Sequence, residues 1–394
     1  MTNEKFDCIV VGAGPAGSMA AKTAAENGIR VLLLEKDPVI GVPLCCAEGI
    51  SVWGMHQFLQ PDPRWISAKI NKVTLTSPSG YEVELDHPDA GYVLDRKLFD
   101  KDLAIQAAAQ GAEVRVHSCA VGLIKGEGKI KGLKVNENGD QKDYFAQVII
   151  AADGVESKVG RWAGIDTSLG LEEMDSAFQY LVVSREINPG RMEFYVGEKV
   201  APGGYVWVFP KGKNCANVGL GMSPALAPDC QPKQLLDDFV KNRFKRFSVA
   251  EIMMGGIPTF SRKNVCLKEN VLLVGDAGRI VDSLSGAGIA NALLSGRIAG
   301  RVASQYVRGK NLRLDFLKNY ERELLKKRGR ELRFYSFCRN VFLKMRDGDF
   351  DAVVLFLKNY LGGKKIKGID PFAVVKAIFK SDPKLLRLLK HVVW

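Results

Sequence analysis

A glycine-rich turn near the amino terminus has the residue spacing of a dinucleotide-binding site. Gly12, Gly14 and Gly17 follow the apolar run of residues 6–11 and precede an alanine-rich segment. Between a strand and a helix, the first glycine permits a tight turn, the second lets a pyrophosphate approach the backbone, and the third lets helix and strand pack closely. Glu35, at the end of the next apolar run, is placed to accept hydrogen bonds from ribose hydroxyls. These residues predict a bound dinucleotide, either NAD or FAD.

Two further apolar runs lead into aspartate and glycine. Residues 146–151 are followed by Asp153 and Gly154, and residues 270–274 are followed by a Gly-Asp pair whose aspartate is Asp276. Continuous apolar runs are typical of strands buried on both faces of a parallel sheet. A nicotinamide site does not need the carboxylate of Asp276, whereas the polar chain of FAD would form a hydrogen bond with it. The two segments therefore favour FAD.

Another glycine-rich segment opens a long helix. Gly286 and Gly288 precede Ile289, after which apolar residues recur with helical spacing. The free amide groups and positive dipole end of this helix would face an anionic ring, and a reduced flavin carries such charge at N1 and the C2 carbonyl. The alternative is that these glycines serve only turns and packing.

Three aromatic residues alternate along a predicted strand. Tyr205, Trp207 and Phe209 share one face because successive side chains of a strand point to opposite sides. Gly219 and Gly221 follow in the next strand-like segment. The rings form an aromatic face, which is either an ordinary part of the core or the wall of an apolar channel.

The positive charge of the chain is concentrated in its last quarter. The net charge is +12, and residues 301–394 contain 23 basic and 9 acidic side chains, so the rest of the chain carries no positive excess. This tail alternates basic residues with apolar runs at 353–357, 372–375 and 385–389. Such helices suit an anionic membrane surface or a helical cap packed on the protein. They do not suit nucleic acid, which requires exposed basic surface without so much apolar material.

The sequence contains neither a membrane-span pattern nor a disulfide or metal framework. No apolar run approaches the roughly 18 residues that cross a bilayer, and no basic-then-apolar leader precedes the first strand. The eight cysteines include no C-x-x-C pair, and the four histidines show no metal-ligand spacing. We therefore expect a cytoplasmic protein with reduced thiols and no metal. Peripheral attachment to the inner face of the cell membrane is the alternative location.

These patterns predict an α/β (α+β overall) protein with three parts. Alternating strands and helices with glycine turns predict a discontinuous, Rossmann-like FAD-binding domain of residues 1–70, 94–165 and 264–308. Alternating apolar and polar residues predict an antiparallel-sheet, substrate-binding domain of residues 71–93 and 166–263. Residues 309–394 are predicted to be a helical, basic carboxy-terminal region.

The glycine and aspartate segments together resemble the flavin-binding residues of the large family of aromatic hydroxylases and their relatives, over about three quarters of the chain. In such proteins a residue like Arg96 touches the phosphates or ribityl chain, and one like Asp276 binds the ribityl chain. The chain departs from many relatives at residues 283–285, where they have a proline. The resemblance implies cofactor contacts by Gly12, Gly14, Pro15, Ala16, Gly17, Glu35, Lys36, Cys46, Ala47, Arg96, Ala120, Asp153, Gly154, Asp276, Gly286, Gly288 and Ile289.

Two longer motifs are similar to those of the geranylgeranyl reductase branch of this family. Residues 205–221 match its Y-x-W-x-F-P…G-x-G signature, and residues 43–50 match its archaeal P-x-x-C-A-E-G-I stretch. The resemblance implies an FAD-dependent reductase that saturates C=C bonds of geranylgeranyl or other polyprenyl chains in archaeal ether-lipid synthesis. It also implies a substrate channel formed by Tyr205, Trp207, Phe209, Gly219 and Gly221.

The resemblance assigns catalytic roles to three of these residues. The loop that contains Cys46 lies beside the flavin ring in the family, so its thiol is placed to supply the proton that accompanies hydride transfer. Tyr205 and Trp207 are placed to stabilise positive charge on the more substituted alkene carbon through their ring faces.

Several alternatives remain open at the level of sequence. A prenyl chain on a quinone is an alternative substrate, and a flavin-dependent aromatic monooxygenase is an alternative enzyme that would need NAD(P)H and oxygen. A membrane-associated flavoprotein that only passes electrons is an alternative outside this reaction class. The chain has no second dinucleotide motif, so the electron donor is either a reduced ferredoxin or a transiently bound NAD(P)H.

Overall fold

The computed structural model describes residues 4–127, 129–261, 265–361 and 371–381. The chain divides into two compact units. The first comprises Met1–Leu44, Arg96–Leu169 and Pro258–Tyr335, and the second comprises Cys45–Asp95, Gly170–Ile257 and Ser336–Trp394. Residues 45–70, which the sequence assigns to the FAD-binding domain, therefore fall in the second unit.

The elements of the described residues are as follows. The strands are β1 (Glu4–Val11), β2 (Val31–Leu34), β3 (Gly49–Ile50), β4 (Ile66–Thr76), β5 (Glu82–Leu94), β6 (Glu113–Arg115), β7 (Ser118–Gly126), β8 (Lys129–Glu137), β9 (Asp140–Ala151), β10 (Met174–Val183), β11 (Arg191–Val196), β12 (Tyr205–Pro210), β13 (Cys215–Met222), β14 (Ser248–Pro258), β15 (Leu267–Lys268) and β16 (Val271–Leu273). The helices are α1 (Pro15–Glu26), α2 (Val52–His56), α3 (Arg96–Ala109), α4 (Lys158–Trp162), α5 (Pro232–Arg243), α6 (Ile289–Arg308), α7 (Asn319–Phe342), α8 (Asp347–Leu361) and α9 (Pro371–Ser381).

The first unit is built on an eight-stranded sheet with a parallel centre. Its strand order is β15-β16-β9-β1-β2-β6, and β8 and β7 continue from β9. The strands from β16 to β6 pair in parallel. Ile9, Leu32, Ile149 and Leu272 in the central strands are fully buried, which explains why the strands appear as continuous apolar runs. The mixed α/β fold predicted from the sequence is confirmed.

Two glycines allow α6 to cross α1 at very short distance. A Cβ atom on Gly296 would lie 2.1 Å from the carbonyl oxygen of Ala16, and one on Gly300 would lie 2.3 Å from that of Ala20. Both distances are too short for any side chain, so only glycine permits this approach. The packing fixes the amino-terminal end of α6, and with it the glycine-rich segment before Ile289, close to the amino-terminal half of α1.

The second unit contains another eight-stranded sheet, with the order β14-β10-β13-β12-β11-β4-β5-β3. Strands β10 to β13 pair antiparallel, as the alternating pattern predicts. The prediction of a purely antiparallel sheet is wrong at one junction, because β11 pairs with β4 in parallel. These two strands lie more than 100 residues apart in the chain, so no local turn dictates their relative direction.

The described part of the carboxy-terminal region is helical; its residues up to Tyr335 belong to the first unit, and those from Ser336 onward are anchored within the second unit. The guanidinium of Arg339 donates two hydrogen bonds of 2.8 Å to the carboxylate of Asp175. The carboxylate of Asp351, in α8, accepts hydrogen bonds from Ser77 and Ser79 on the turn between β4 and β5. These contacts show that α8 packs as a helical cap, one of the two roles considered for the tail. The apolar run at 385–389 lies outside the described residues.

Among the described residues, no helix is both long enough and apolar enough to cross a membrane.

Candidate functional site

The three glycine and aspartate segments meet at one edge of the first unit's sheet. The last residues of β1, β9 and β16 are aligned in the register of the parallel strands. Residues that follow the carboxyl ends of aligned parallel strands lie along the same edge. Gly12, Asp153 and Gly275 are therefore brought together, although they are separated by more than 100 residues in each case.

The backbone of the first turn can be formed only by glycine. Gly12 has a φ of +101°, and a Cβ atom on it would lie 2.4 Å from the carbonyl oxygen of Ala152. A Cβ atom on Gly17 would lie 1.8 Å from the carbonyl oxygen of Gly12. Gly14 differs, because no atom lies within 4 Å of its would-be Cβ. The turn thus packs tightly on its protein side and leaves open space on the side where a pyrophosphate is expected.

The start of α1 offers unsatisfied donors to this open space. Gly14 precedes the helix and has no side chain with which to cap it, and Pro15 and Ala16 form its first turn. The carboxylate of Glu35 braces the turn, because it accepts hydrogen bonds from the backbone of Ala13 at 2.9 Å and of Asp37 at 3.1 Å. Each carboxylate oxygen has a second lone pair, so the predicted contact with ribose hydroxyls is sterically and chemically compatible with this bracing.

A partly buried carboxylate and a partly buried guanidinium lie at the same edge. Burial raises the pKa of Asp276, and the positive charge of Arg96 opposes that shift, which places the two side chains near each other. The guanidinium of Arg96 is held by Asp100 through hydrogen bonds of 2.6 and 2.7 Å. The carboxylate of Asp276 accepts no hydrogen bond from the residues that the structure describes. Its oxygens are therefore available to accept a hydrogen bond from a cofactor hydroxyl.

Asp153 has one buried oxygen without a partner among the described residues. Its Oδ2 accepts a hydrogen bond from the backbone of Val159 at 2.9 Å, whereas Oδ1 is buried and has no hydrogen-bond partner within the described chain. Burial raises the pKa of this carboxyl. Gly154 has a φ of +65° and open space at its Cβ position. Lys36 lies in a solvent-exposed ion pair with Glu156, and Ala120, a residue of β7, packs against the core of the first unit.

The segment before α6 is shaped by an aspartate that the sequence analysis does not single out. The carboxylate of Asp282 accepts hydrogen bonds from the backbone of Leu284 and from both the backbone and hydroxyl of Ser285. Gly286 has a φ of +67°. A Cβ atom on Gly288 would lie 3.3 Å from Oδ1 of Asp276, so the segment passes beside that carboxylate. Asp282 thereby orders the turn at which many relatives have a proline.

The aromatic motif of the second unit forms one packed face. Tyr205 and Trp207 meet edge to face at 5.8 Å between ring centroids, and Phe209 joins the same cluster through Phe194. Trp207 and Phe209 are buried, and Tyr205 is partly exposed. The rings therefore share the face that the alternation predicts, and the predicted substrate channel along it stays a prediction.

The indole ring of Trp207 lies against β13 beside Gly219 and Gly221, the two glycines of the motif. Trp207 is aligned with Gly219 in β13, and Tyr205 is aligned with Gly221. A Cβ atom on Gly219 would lie 2.6 Å from the ring of Trp207, and one on Gly221 would lie 3.7 Å from it. The spacing between Trp207 and Gly219 thus has a packing basis, because a Cβ atom at position 219 would collide with the indole, whereas one at position 221 would make only an ordinary van der Waals contact.

Comparison with known proteins gives matches over the whole chain. The model for the geranylgeranyl reductase catalytic domain matches residues 173–257, and that for FAD-dependent oxidoreductases matches residues 7–200. The digeranylgeranylglycerophospholipid reductase of Methanocella arvoryzae is 41% identical over 393 residues, which cover 99% of each chain. This chain belongs to the geranylgeranyl reductase family. The relative of that name in Methanosarcina acetivorans is 40% identical, with 97% of this chain and 94% of the relative covered.

A solved structure supports the same assignment of this reductase. The geranylgeranyl bacteriochlorophyll reductase-like protein of Thermoplasma acidophilum has a TM-score of 0.92 and 33% identity, with both chains covered completely. A flavin-dependent brominase has a TM-score of 0.65 and 17% identity, which shows a shared fold alone. The resemblance identified from the sequence motifs is confirmed.

In this reductase, the P-x-x-C-A-E-G-I stretch is divided between the two units. Cys46 and Ala47 belong to the second unit, as do the aromatic residues. Cys46 is partly exposed, and Ala47 packs against the aromatic cluster. The predicted cofactor residues from Gly12 to Lys36, with Arg96, Ala120, Asp153, Gly154, Asp276, Gly286, Gly288 and Ile289, all belong to the first unit.

Proposed function

We propose that this reductase binds FAD and saturates the isolated double bonds of geranylgeranyl chains in archaeal ether phospholipids. The observation that carries the proposal is full-length similarity, at 41% identity, to a protein named digeranylgeranylglycerophospholipid reductase. The site geometry supports it, because the dinucleotide turn and the aromatic motif are both formed in the structure.

The residues of the first unit fit FAD. Open space above Gly14 and the uncapped start of α1 suit a pyrophosphate, and Glu35 suits the adenosine ribose. Asp276 and Arg96 suit the ribityl chain and phosphates, and the amides of Gly286 and Gly288 before Ile289 suit the anionic edge of the ring. When bound and reduced, FAD supplies the hydride that an alkene requires.

An isolated alkene is not polarised by a carbonyl group. Its reduction therefore requires that the protein protonate one carbon while hydride reaches the other. The Cys46 thiol is the proposed donor: its S–H bond breaks as a C–H bond forms, and the resulting thiolate regains a proton from water. Tyr205 and Trp207 would stabilise positive charge on the more substituted carbon through their ring faces. The proposed chain-binding surface comprises Tyr205, Trp207, Phe209, Gly219 and Gly221.

A substrate panel tests the proposed activity. The protein, reduced anaerobically with dithionite, is incubated separately with an unsaturated digeranylgeranyl phospholipid, a prenylated quinone and a small aromatic, and products are analysed by mass spectrometry. We expect hydrogens to be added in pairs to the phospholipid. Addition only to the quinone would support the alternative prenyl substrate, and oxygen insertion into the aromatic with NAD(P)H and air would support a monooxygenase. Turnover with reduced ferredoxin and with NAD(P)H then identifies the electron donor.

We also propose that the carboxy-terminal helices attach the protein peripherally to anionic membrane, where its lipid substrate resides. In α9, Lys376 and Lys380 are exposed, and Phe372 and Val375 are half-buried. Each lysine near an anionic surface contributes about 1 kcal/mol. Replacing both by glutamate is therefore expected to weaken binding to anionic vesicles at least about 30-fold, measured by co-sedimentation at low salt.

Lys131→Glu is the matched control for this prediction, because Lys131 is an exposed lysine on β8 of the first unit. It should leave vesicle binding nearly unchanged, and binding of the parent should weaken as salt is raised. Equal binding of the parent to neutral and anionic vesicles would contradict the attachment.

A further inference from the structure

The backbone of residues 46–48 is held by three different strands of the second unit. The side-chain amide of Gln179, on β10, donates to the carbonyl of Cys46 at 3.2 Å. The amide of Asn217, on β13, donates to the carbonyl of Ala47 at 3.2 Å. The backbone of Leu94, at the end of β5, donates to the carbonyl of Glu48 at 2.9 Å. Each successive carbonyl therefore has its own fixed partner, which is unusual for a loop.

A buried ion pair between the side chains of Glu48 and Lys211 also holds this loop. Glu48 is fully buried, and its Oε2 accepts hydrogen bonds from Lys211 at 2.5 Å and from Asn217 at 2.6 Å. The charges of Glu48 and Lys211 neutralise each other, and these two are the charged members of the cluster. We refer to Glu48, Gln179, Lys211 and Asn217 as the Glu48 network. A buried carboxylate is retained only where its partners satisfy it, so this network constrains the backbone of the loop strongly.

The network also places a hydrogen-bond donor beside the sulfur of Cys46. Glu48 has a φ of +72°, in the left-handed region that a glutamate rarely adopts. In this conformation its backbone N–H donates to the sulfur of Cys46 at 3.2 Å. A donor to sulfur stabilises the thiolate more than the thiol, because hydrogen bonds to charged groups are the stronger ones. The strained backbone thus holds an N–H donor against the sulfur of Cys46.

Gln179 joins this network to the aromatic motif. Its Oε1 accepts a hydrogen bond from the indole N–H of Trp207 at 2.7 Å, while its Nε2 donates to the carbonyl of Cys46. One side chain therefore fixes both the cysteine loop and the ring that the proposed mechanism uses.

We propose that Glu48 and Gln179 are positioning residues, which fix the Cys46 thiol and strengthen it as a proton donor. This inference rests on the proposed function, because a proton donor is needed only if the protein reduces alkenes. The acidity of the Cys46 thiol can nevertheless be measured without any substrate. The loss of Glu48 should release the loop from its left-handed conformation and remove the N–H from the sulfur. Cys46 should then have a higher pKa and a smaller thiolate fraction at neutral pH.

Alkylation of Cys46 by iodoacetamide measures this property without any substrate. The Cys45→Ala background removes the neighbouring thiol, and peptide mass spectrometry resolves Cys46 from the other cysteines. In this background, Glu48→Ala should slow alkylation at neutral pH about tenfold and shift the midpoint of its pH profile upward by about one unit. Glu48→Gln, whose amide oxygen can still accept from Lys211 and Asn217 but which leaves the Lys211 charge without its counter-charge, should slow alkylation less than Glu48→Ala.

Glu84→Ala is the matched control, because Glu84 is an exposed glutamate of the same unit that pairs with Lys72. If the network has only a structural role, a loosened loop would alkylate at the same rate or faster, and the proposal would be overturned. Should Glu48→Ala fail to fold, Gln179→Ala provides the same test. A shifted profile in a protein that reduces no lipid would overturn the proposed function and leave the positioning intact. Lipid reduction with an unshifted pH profile of alkylation would overturn the positioning role and leave the proposed function intact.

Discussion

Replacement of Cys46 by alanine is expected to slow alkene reduction about 100- to 10,000-fold, the usual contribution of a general acid. The physical reason is that the variant lacks the proposed proton donor, whereas the proposed FAD-binding residues of the first unit are unchanged. FAD content should therefore stay at the parental value. The measurement is single-turnover oxidation of the reduced flavin by geranylgeranyl lipid, followed under anaerobic conditions.

Cys45→Ala is the internal control for this variant. A Cβ atom on Gly255 would lie 3.3 Å from Cβ of Cys45, so the exposed side chain of Cys45 lies beside β14. The side chain of Cys46 instead accepts the hydrogen bond from Glu48. Cys45→Ala should thus retain most of the activity. If Cys46→Ala reduced lipid at the parental rate, the proton would have to come from water or a tyrosine, and Cys46 would be a packing residue.

Replacement of Asp276 by alanine is expected to weaken FAD retention about 10- to 150-fold. A charge-assisted hydrogen bond to the ribityl chain contributes about 1.5–3 kcal/mol, and the partly buried carboxylate of Asp276 accepts no hydrogen bond from the described residues. Retention is measured by titrating apoprotein with FAD, after chromatography of the released cofactor shows FAD rather than FMN in the parent.

Asp315→Ala is a suitable control, because Asp315 is an exposed aspartate of the first unit whose ion pair with Lys318 is local. Its FAD affinity should match that of the parent. Unchanged affinity in Asp276→Ala would show that Gly275 and Asp276 form only a turn. Release of FMN alone from the parent would contradict the assignment of the cofactor.

The dinucleotide part of the fold is predictable because its physics is local. Strands buried on both faces must be continuously apolar, and the turns after them require glycine where the backbone adopts positive φ, as at Gly12 and Gly275. The Trp207 motif is also visible in the sequence, because Gly219 and Gly221 follow the tryptophan at a fixed number of residues and lie beside its ring in the fold.

Other features could not be predicted because they arise from contacts between distant segments. The parallel pairing of β11 with β4 has no local signal. Glu48 occurs in a recognised motif, but its partners Lys211 and Asn217 lie more than 160 residues away and look like ordinary strand and turn residues. Asp282 is closer to a predictable feature, since an aspartate two residues before a turn commonly accepts its backbone hydrogen bonds.

The most direct test of the proposed function is the mass of the lipid product after anaerobic reaction with reduced protein. Reduced parent protein is mixed with digeranylgeranyl phospholipid, and flavin oxidation and product mass are followed in the same sample. We predict that each oxidised flavin corresponds to one double bond saturated, with two hydrogens gained, and that a fully saturated lipid leaves the flavin reduced. Flavin that stays reduced with the unsaturated lipid, or oxidises without any gain of hydrogen by the lipid, would contradict the proposed function.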